Sequence, residues 1–112
     1  MNKSKAKGTG FENEVVELLV SNGIPAHRAE TNKKSHDVRL DGKDWPVECK
    51  SRKAWHLFAW IRDIRSVAAD DHWFIFASHA DRRTLEGRAV GTVCIMDAET
   101  GARAIKLLKE QS

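Results

Sequence analysis

His36-Asp37-Val38-Arg39-Leu40, then Asp41-Gly42-Lys43-Asp44, then Trp45-Pro46-Val47-Glu48-Cys49-Lys50 is the stretch on which the fold turns. The middle four residues have turn composition, and the runs on either side alternate apolar and polar side chains as half-buried strands do. With Leu40 and Trp45 flanking the turn, antiparallel pairing sets Arg39 opposite Pro46, Val38 opposite Val47 and Asp37 opposite Glu48. Directly opposed side chains share a face, with Cβ atoms about 4.5–5.5 Å apart. Strand alternation puts Lys50 on the face of Glu48 and sends Val47 and Cys49 the other way. Two carboxylates so placed repel unless a cation neutralises them. Mg²⁺ prefers oxygen ligands at about 2.0–2.1 Å and is commonly held by one or two carboxylates plus substrate phosphate. The residues alone leave two readings open. One is a cation site; the other is an exposed hairpin with ordinary surface charges, which a chain that is 31% charged forms readily. Pro46 cannot donate to a ladder and fits an edge or the first residues of a strand.

Outward from the hairpin, Thr9 to Ser21 is predicted as a helix, with Phe11, Val15, Val16, Leu18 and Leu19 as its apolar stripe. Thr9-Gly10-Phe11-Glu12 fits a capping box, and Asn22-Gly23 followed by Pro25 ends the helix. Ala26 to Ala29 is a short strand and Glu30 to Ser35 a polar loop. Trp55 to Ala68 is a second helix, with Leu57, Trp60, Ile61, Ile64, Val67 and Ala68 on one face. Strands follow at Trp73–Ala77 and Thr92–Met96. After Asp97 the pattern admits a hairpin or a helix; a hairpin or short strand leading into a helical end is favoured. Helix, three strands, helix and strands together predict an α/β protein, a central mixed β-sheet flanked by helices.

At 112 residues the chain is expected to be one domain, with residues 1–7 as a flexible basic tail. No apolar run approaches about 18 residues, so no membrane span is expected. The first eight residues lack the apolar core of a secretory signal. Cys49 and Cys94 are isolated and have no zinc-ligand spacing, and an intracellular, reducing compartment is the default. The formal charge of +3 is modest, but its distribution is informative. Lys3, Lys5 and Lys7 form one cluster, Arg28, Lys33 and Lys34 a second, and Lys50, Arg52 and Lys53 a third. The last two flank the acids, as they would if a polyanionic backbone lay across the site. For the N-terminal lysines a solvated surface is an equal alternative. Trp60 and Trp73 are assigned to the core and Trp55 to an interface or a DNA-facing position. The five histidines have no ligand spacing; His36, beside Asp37, is the one with a possible part in the site.

Lys7-Gly8-Thr9-Gly10-Phe11-Glu12-Asn13-Glu14, then His27-Arg28-Ala29, Asp37-Val38 and Val47-Glu48-Cys49-Lys50, resembles the archaeal-type Holliday junction resolvases. These belong to the restriction-endonuclease-like PD-(D/E)xK nuclease superfamily. The resemblance covers residues 7–53, and the remainder only as a pattern of elements. It implies a restriction-endonuclease-like fold and Mg²⁺-dependent cleavage of four-way DNA junctions, with Mn²⁺ able to substitute. It implies products bearing a 5′-phosphate and a 3′-hydroxyl. Asp37 and Glu48 match the metal-binding acids, with the Cys49 carbonyl as a further ligand and Glu12 joining from the first helix. Lys50 matches the catalytic lysine. Lys7, Arg28, Thr31, Lys33, Lys34, Ser35, Arg52 and Lys53 are the expected DNA contacts; Thr31 or Ser35 stands for the small hydroxyl residue that the family carries before its aspartate. The usual proline before that aspartate is His36 here. Resolving a junction requires two cuts in fixed relation, so a two-fold homodimer is the expected assembly. Two other readings remain: a nuclease of the same superfamily acting on other branched or duplex DNA, and a non-catalytic basic DNA-binding domain.

Overall fold

The computed structural model describes residues 3–29, 37–70, 72–80 and 91–112. In chain order the elements are α1 (Lys3–Ser21), β1 (Ala26–Arg28), β2 (Val38–Leu40), β3 (Lys43–Arg52), α2 (Leu57–Val67), β4 (Phe74–His79), β5 (Thr92–Met96) and α3 (Ala98–Gln111). The strands form one five-stranded sheet in the order β1-β2-β3-β4-β5. Neighbours are antiparallel except β3 and β4, which run parallel. Parallel neighbours need a crossover long enough to return the chain to its starting edge, and α2 lies in that connection. The protein is therefore α/β with a mixed sheet, as its element pattern predicts. Among the described residues no helix is long and apolar enough to cross a membrane.

Side-chain alternation along β3 sorts the core onto the two faces of the sheet. Val47 joins Phe11 and Val15 of α1, Val38 and Phe76, with Cys49 packed against them. On the opposite face Trp60 and Ile64 of α2 pack with Trp73, Ile75 and Ala77. Ile75 and Ala77 are the register partners of Glu48 and Lys50. Two charged residues of β3 thus emerge on the same face as an apolar cluster.

The hairpin differs from its expected form at the turn. Val38 pairs with Val47 as anticipated, but Leu40 pairs with Lys43, and the register shifts between them. The turn is the two residues Asp41-Gly42, with Gly42 at φ +84°, instead of four. The surplus on β3 is absorbed as a bulge around Asp44, Trp45 and Pro46, which places the residue without an N–H where ladder bonds are interrupted.

Both ends of the chain also depart from expectation. α1 begins at Lys3, so Thr9 lies within the helix and the capping box does not mark its start; residues 3–7, expected as a tail, are helical. Lys and Ala are good helix formers, and Gly8 and Gly10 each weaken the helix by about 1 kcal/mol without ending it. The helix ends as predicted: the Ile24 N–H donates to the Leu19 carbonyl and that of Gly23 to Val20, a Schellman closure with Gly23 at φ +84°. Leu18, expected in the buried stripe, is 46% exposed, and Val67 of α2 is 50% exposed. After Asp97 there is no hairpin. The Asp97 carboxylate accepts the Glu99 N–H at 3.1 Å, and a helix follows at once. Gly101 sits inside it, where an added Cβ would already touch Met96.

Candidate active site

Asp37 stands immediately before β2, and its main chain is gripped from both sides. Its N–H donates to the Val47 carbonyl, and its carbonyl accepts from Ala29, each at 3.0 Å. Its carboxylate Oδ2 then accepts the Cys49 N–H at 2.8 Å. A backbone donor inside β3 therefore aims the Asp37 side chain at the strand carrying Glu48. The Glu48 carboxyl is pushed up to about 8, first by burial and then by the charge of Asp37 and a hydrogen bond with it; Lys50 acts in the opposite sense. That burial follows from strand alternation, which puts Glu48 beside Ile75 over the α2 cluster.

Lys50 lies two residues on, on the same face. Its ammonium is 5.9 Å from the centre of the Trp60 ring, within cation–π range. Trp60, assigned to the core from its helical spacing, is buried and at the same time forms the wall behind Lys50. Asp63, one turn further along α2, lines a recess of about 210 Å³ with Glu48, Lys50 and Trp60. Sequence reasoning missed both contacts. Trp60 and Asp63 are three positions apart on one helix, but nothing local states that this helix packs over Glu48 and Lys50.

Glu12 approaches from α1. Its carboxylate accepts from Arg28 Nε at 3.1 Å, and the pair is only partly exposed. Burial and the negative charge of Asp37 raise the Glu12 carboxyl, while Arg28 pulls it down. Arg28, expected to touch DNA, is thus bonded to Glu12 and balances the acids. With α1 starting at Lys3, Glu12 lies inside the helix and is not the third helical residue of a capping box. The Cys49 thiol is raised well above its ordinary value by burial and by the surrounding carboxylates, so its contribution here is through its main chain.

Glu12, Asp37, Glu48, Cys49, Lys50, Arg52 and Lys53 line one open cleft of about 520 Å³. Four expected catalytic residues and two expected DNA contacts are therefore brought together. Thr31, Lys33, Lys34, Ser35 and His36 lie outside the described residues, as does the side chain of Lys7. Among the described residues no three His, Cys, Asp or Glu side chains converge as a ready metal cage. Asp37 and Glu48 share a hydrogen bond and line the same cleft. An ion that keeps several waters and shares substrate oxygens suits two carboxylates in an open cleft better than an ion needing an all-protein cage. Comparison with known proteins finds no matching family, no curated relative and no matching solved structure.

Proposed function

We propose that this chain is a Mg²⁺-dependent DNA endonuclease with a restriction-endonuclease-like fold, acting on branched DNA with the four-way junction as its substrate. The observation that carries the proposal is the Asp37–Glu48 pair: two acids held together, one with its carboxyl raised to about 8, with Lys50 alongside in an open cleft. Such a pair is poorly stable as two bare carboxylates and well suited to sharing a divalent cation. Asp37 and Glu48 would hold the ion, with the Cys49 carbonyl and Glu12 as supplementary oxygen donors. Bound there, a cation of this kind polarises a phosphate and lowers the pKa of an attacking water.

The chain's own groups do the rest. Cys49 N–H orients Asp37, and Arg28 fixes Glu12. Lys50 offsets the negative charge that builds on the phosphate oxygens in the transition state. Arg52 and Lys53 at the cleft wall hold the strand through its phosphates, an interaction that positions without reading sequence. A junction calls for two symmetric cuts, so the functional unit under this proposal is a homodimer.

The test is cleavage of labelled four-way junction, flap and perfect duplex, with and without Mg²⁺, by wild type, Asp37→Asn and Lys50→Ala. Mg²⁺-dependent cutting of the junction is expected, with each variant slower by about 10²–10³-fold or more. Cleavage by both variants at the wild-type rate would remove the site. Cutting of duplex in preference to junction would keep the chemistry and change the substrate.

A further inference from the structure

Around the start of α2, two and five residues beyond the cleft-lining Lys53, two aromatic side chains face solvent. Phe58 is 85% exposed and Trp55 39%. They are the two aromatics among the exposed large apolar side chains of the described residues. The core does not need Phe58, because α2 packs through Leu57, Trp60, Ile61 and Ile64. Trp55 is already ordered. Its indole N–H donates to the Arg52 carbonyl at 3.2 Å, and its ring lies 6.0 Å from that of Trp60. Trp60 in turn stands behind the Lys50 ammonium, and Arg52 and Lys53 line the cleft. A series of contacts therefore leads from the proposed catalytic lysine through Trp60 to Trp55 and the main chain of Arg52, and Phe58 is exposed three residues further along the chain.

We propose that Trp55 and Phe58 form a stacking platform for an unpaired nucleobase of the strand whose phosphate occupies the cleft. The proposal rests on the nuclease reading and deepens it by naming the substrate class. Charge decides the occupant. Cations beside exposed aromatic faces fit a nucleotide, whose phosphate and base need one of each, better than an apolar protein surface. A base inside an intact duplex is stacked on both sides and has no face to offer. A base at a branch centre, flap or gap has one. The platform thus selects DNA for unpaired bases without regard to sequence, since every base has a π-face.

Binding separates this from catalysis. The full chain, in EDTA so that nothing is cut, is titrated by fluorescence anisotropy with a duplex bearing an unpaired segment and with a fully paired duplex of matching length. A 2-aminopurine in the unpaired segment reports stacking. Phe58→Ala is expected to weaken binding of the unpaired DNA by about 5–150-fold, the range for removal of one stacking partner, and to change duplex binding by less than about twofold. Phe58→Trp should keep the preference and the 2-aminopurine quenching, while Phe58→Leu, equally apolar but without a π-face, should lose both. Equal losses on both DNAs, or none on either, would overturn the platform. So would a Phe58→Ala variant whose sedimentation shows a dimer lost along with all DNA affinity, which would make the surface an interface between copies. Wild-type cleavage of junctions combined with an unselective Phe58→Ala removes the platform and leaves the nuclease standing. Failure of the wild type to bind any DNA removes both.

Discussion

Glu48 is the residue whose chemistry is most altered by its position. In the unfolded chain its carboxyl ionises near 4.5, and in the fold near 8. Between those values the folded state holds a proton that the unfolded state has released. The contribution of Glu48 to the stability of the metal-free protein is therefore full below about pH 4.5 and is lost as pH rises through 8. Thermal melts from pH 5 to pH 8 in EDTA should show that decline, and Glu48→Gln should flatten it. At pH 8 the variant should gain about 1–2 kcal/mol, a figure reduced for the carboxyl's partial contact with solvent. Mg²⁺ should raise the wild-type melting temperature at pH 8 and leave Glu48→Gln nearly unmoved, if the pair is what holds the ion. The convergence of Asp37, Glu48 and Lys50 was legible in the sequence because a period of two fixes which strand residues share a face. The bond from Arg28 to Glu12 was not, because it depends on how α1 is seated over β1. Nor was the placement of Trp60 behind Lys50, which depends on the docking of α2.

At the scale of elements, β5 matched its predicted span and β1, α2 and β4 came within one to three residues of theirs, since each carries a strong apolar pattern within turn-like flanks. The misreadings fell where local composition suits two structures. Ala98-Glu99-Thr100-Gly101 reads as a turn, yet Asp97 caps a helix over it, and Arg103–Glu99 and Lys106–Glu110 pairs bridge successive turns along it. α3 buries none of its residues: Ile105, Leu107 and Leu108 are each more than half exposed. Both apolar clusters are complete without it. A chain ending at Gly101 should therefore keep its sheet and lose only about 1 kcal/mol or less in urea melts, with DNA cleavage retained. A collapse of the fold on truncation would mean that α3 covers more of the core than its exposure indicates.

At the scale of the whole molecule, net charge is a poor guide to the partner, because +3 is spread over clusters with different duties. Arg28 is engaged with Glu12, whereas Arg52 and Lys53 line the cleft. Replacing Arg52 and Lys53 by Gln should lower DNA affinity by a similar factor for every sequence. It should also make the slope of log affinity against log salt shallower by about 2, close to 0.9 for each phosphate no longer neutralised. The mixed sheet carries a consequence of another kind, for the order of assembly. Val38 and Val47 are nine positions apart, while the parallel partners Val47 and Phe74 are 27 apart. Closing the longer loop costs more chain entropy before any pairing repays it. The hairpin that aligns Asp37 with Glu48 can thus form early, while β4 joins after the slower closure around α2. In chevron measurements Val38→Ala should then slow refolding, and Ile75→Ala should mainly speed unfolding. The paired acids would meet in a nascent chain before the wall behind Lys50 exists, so a divalent ion present during refolding should accelerate it.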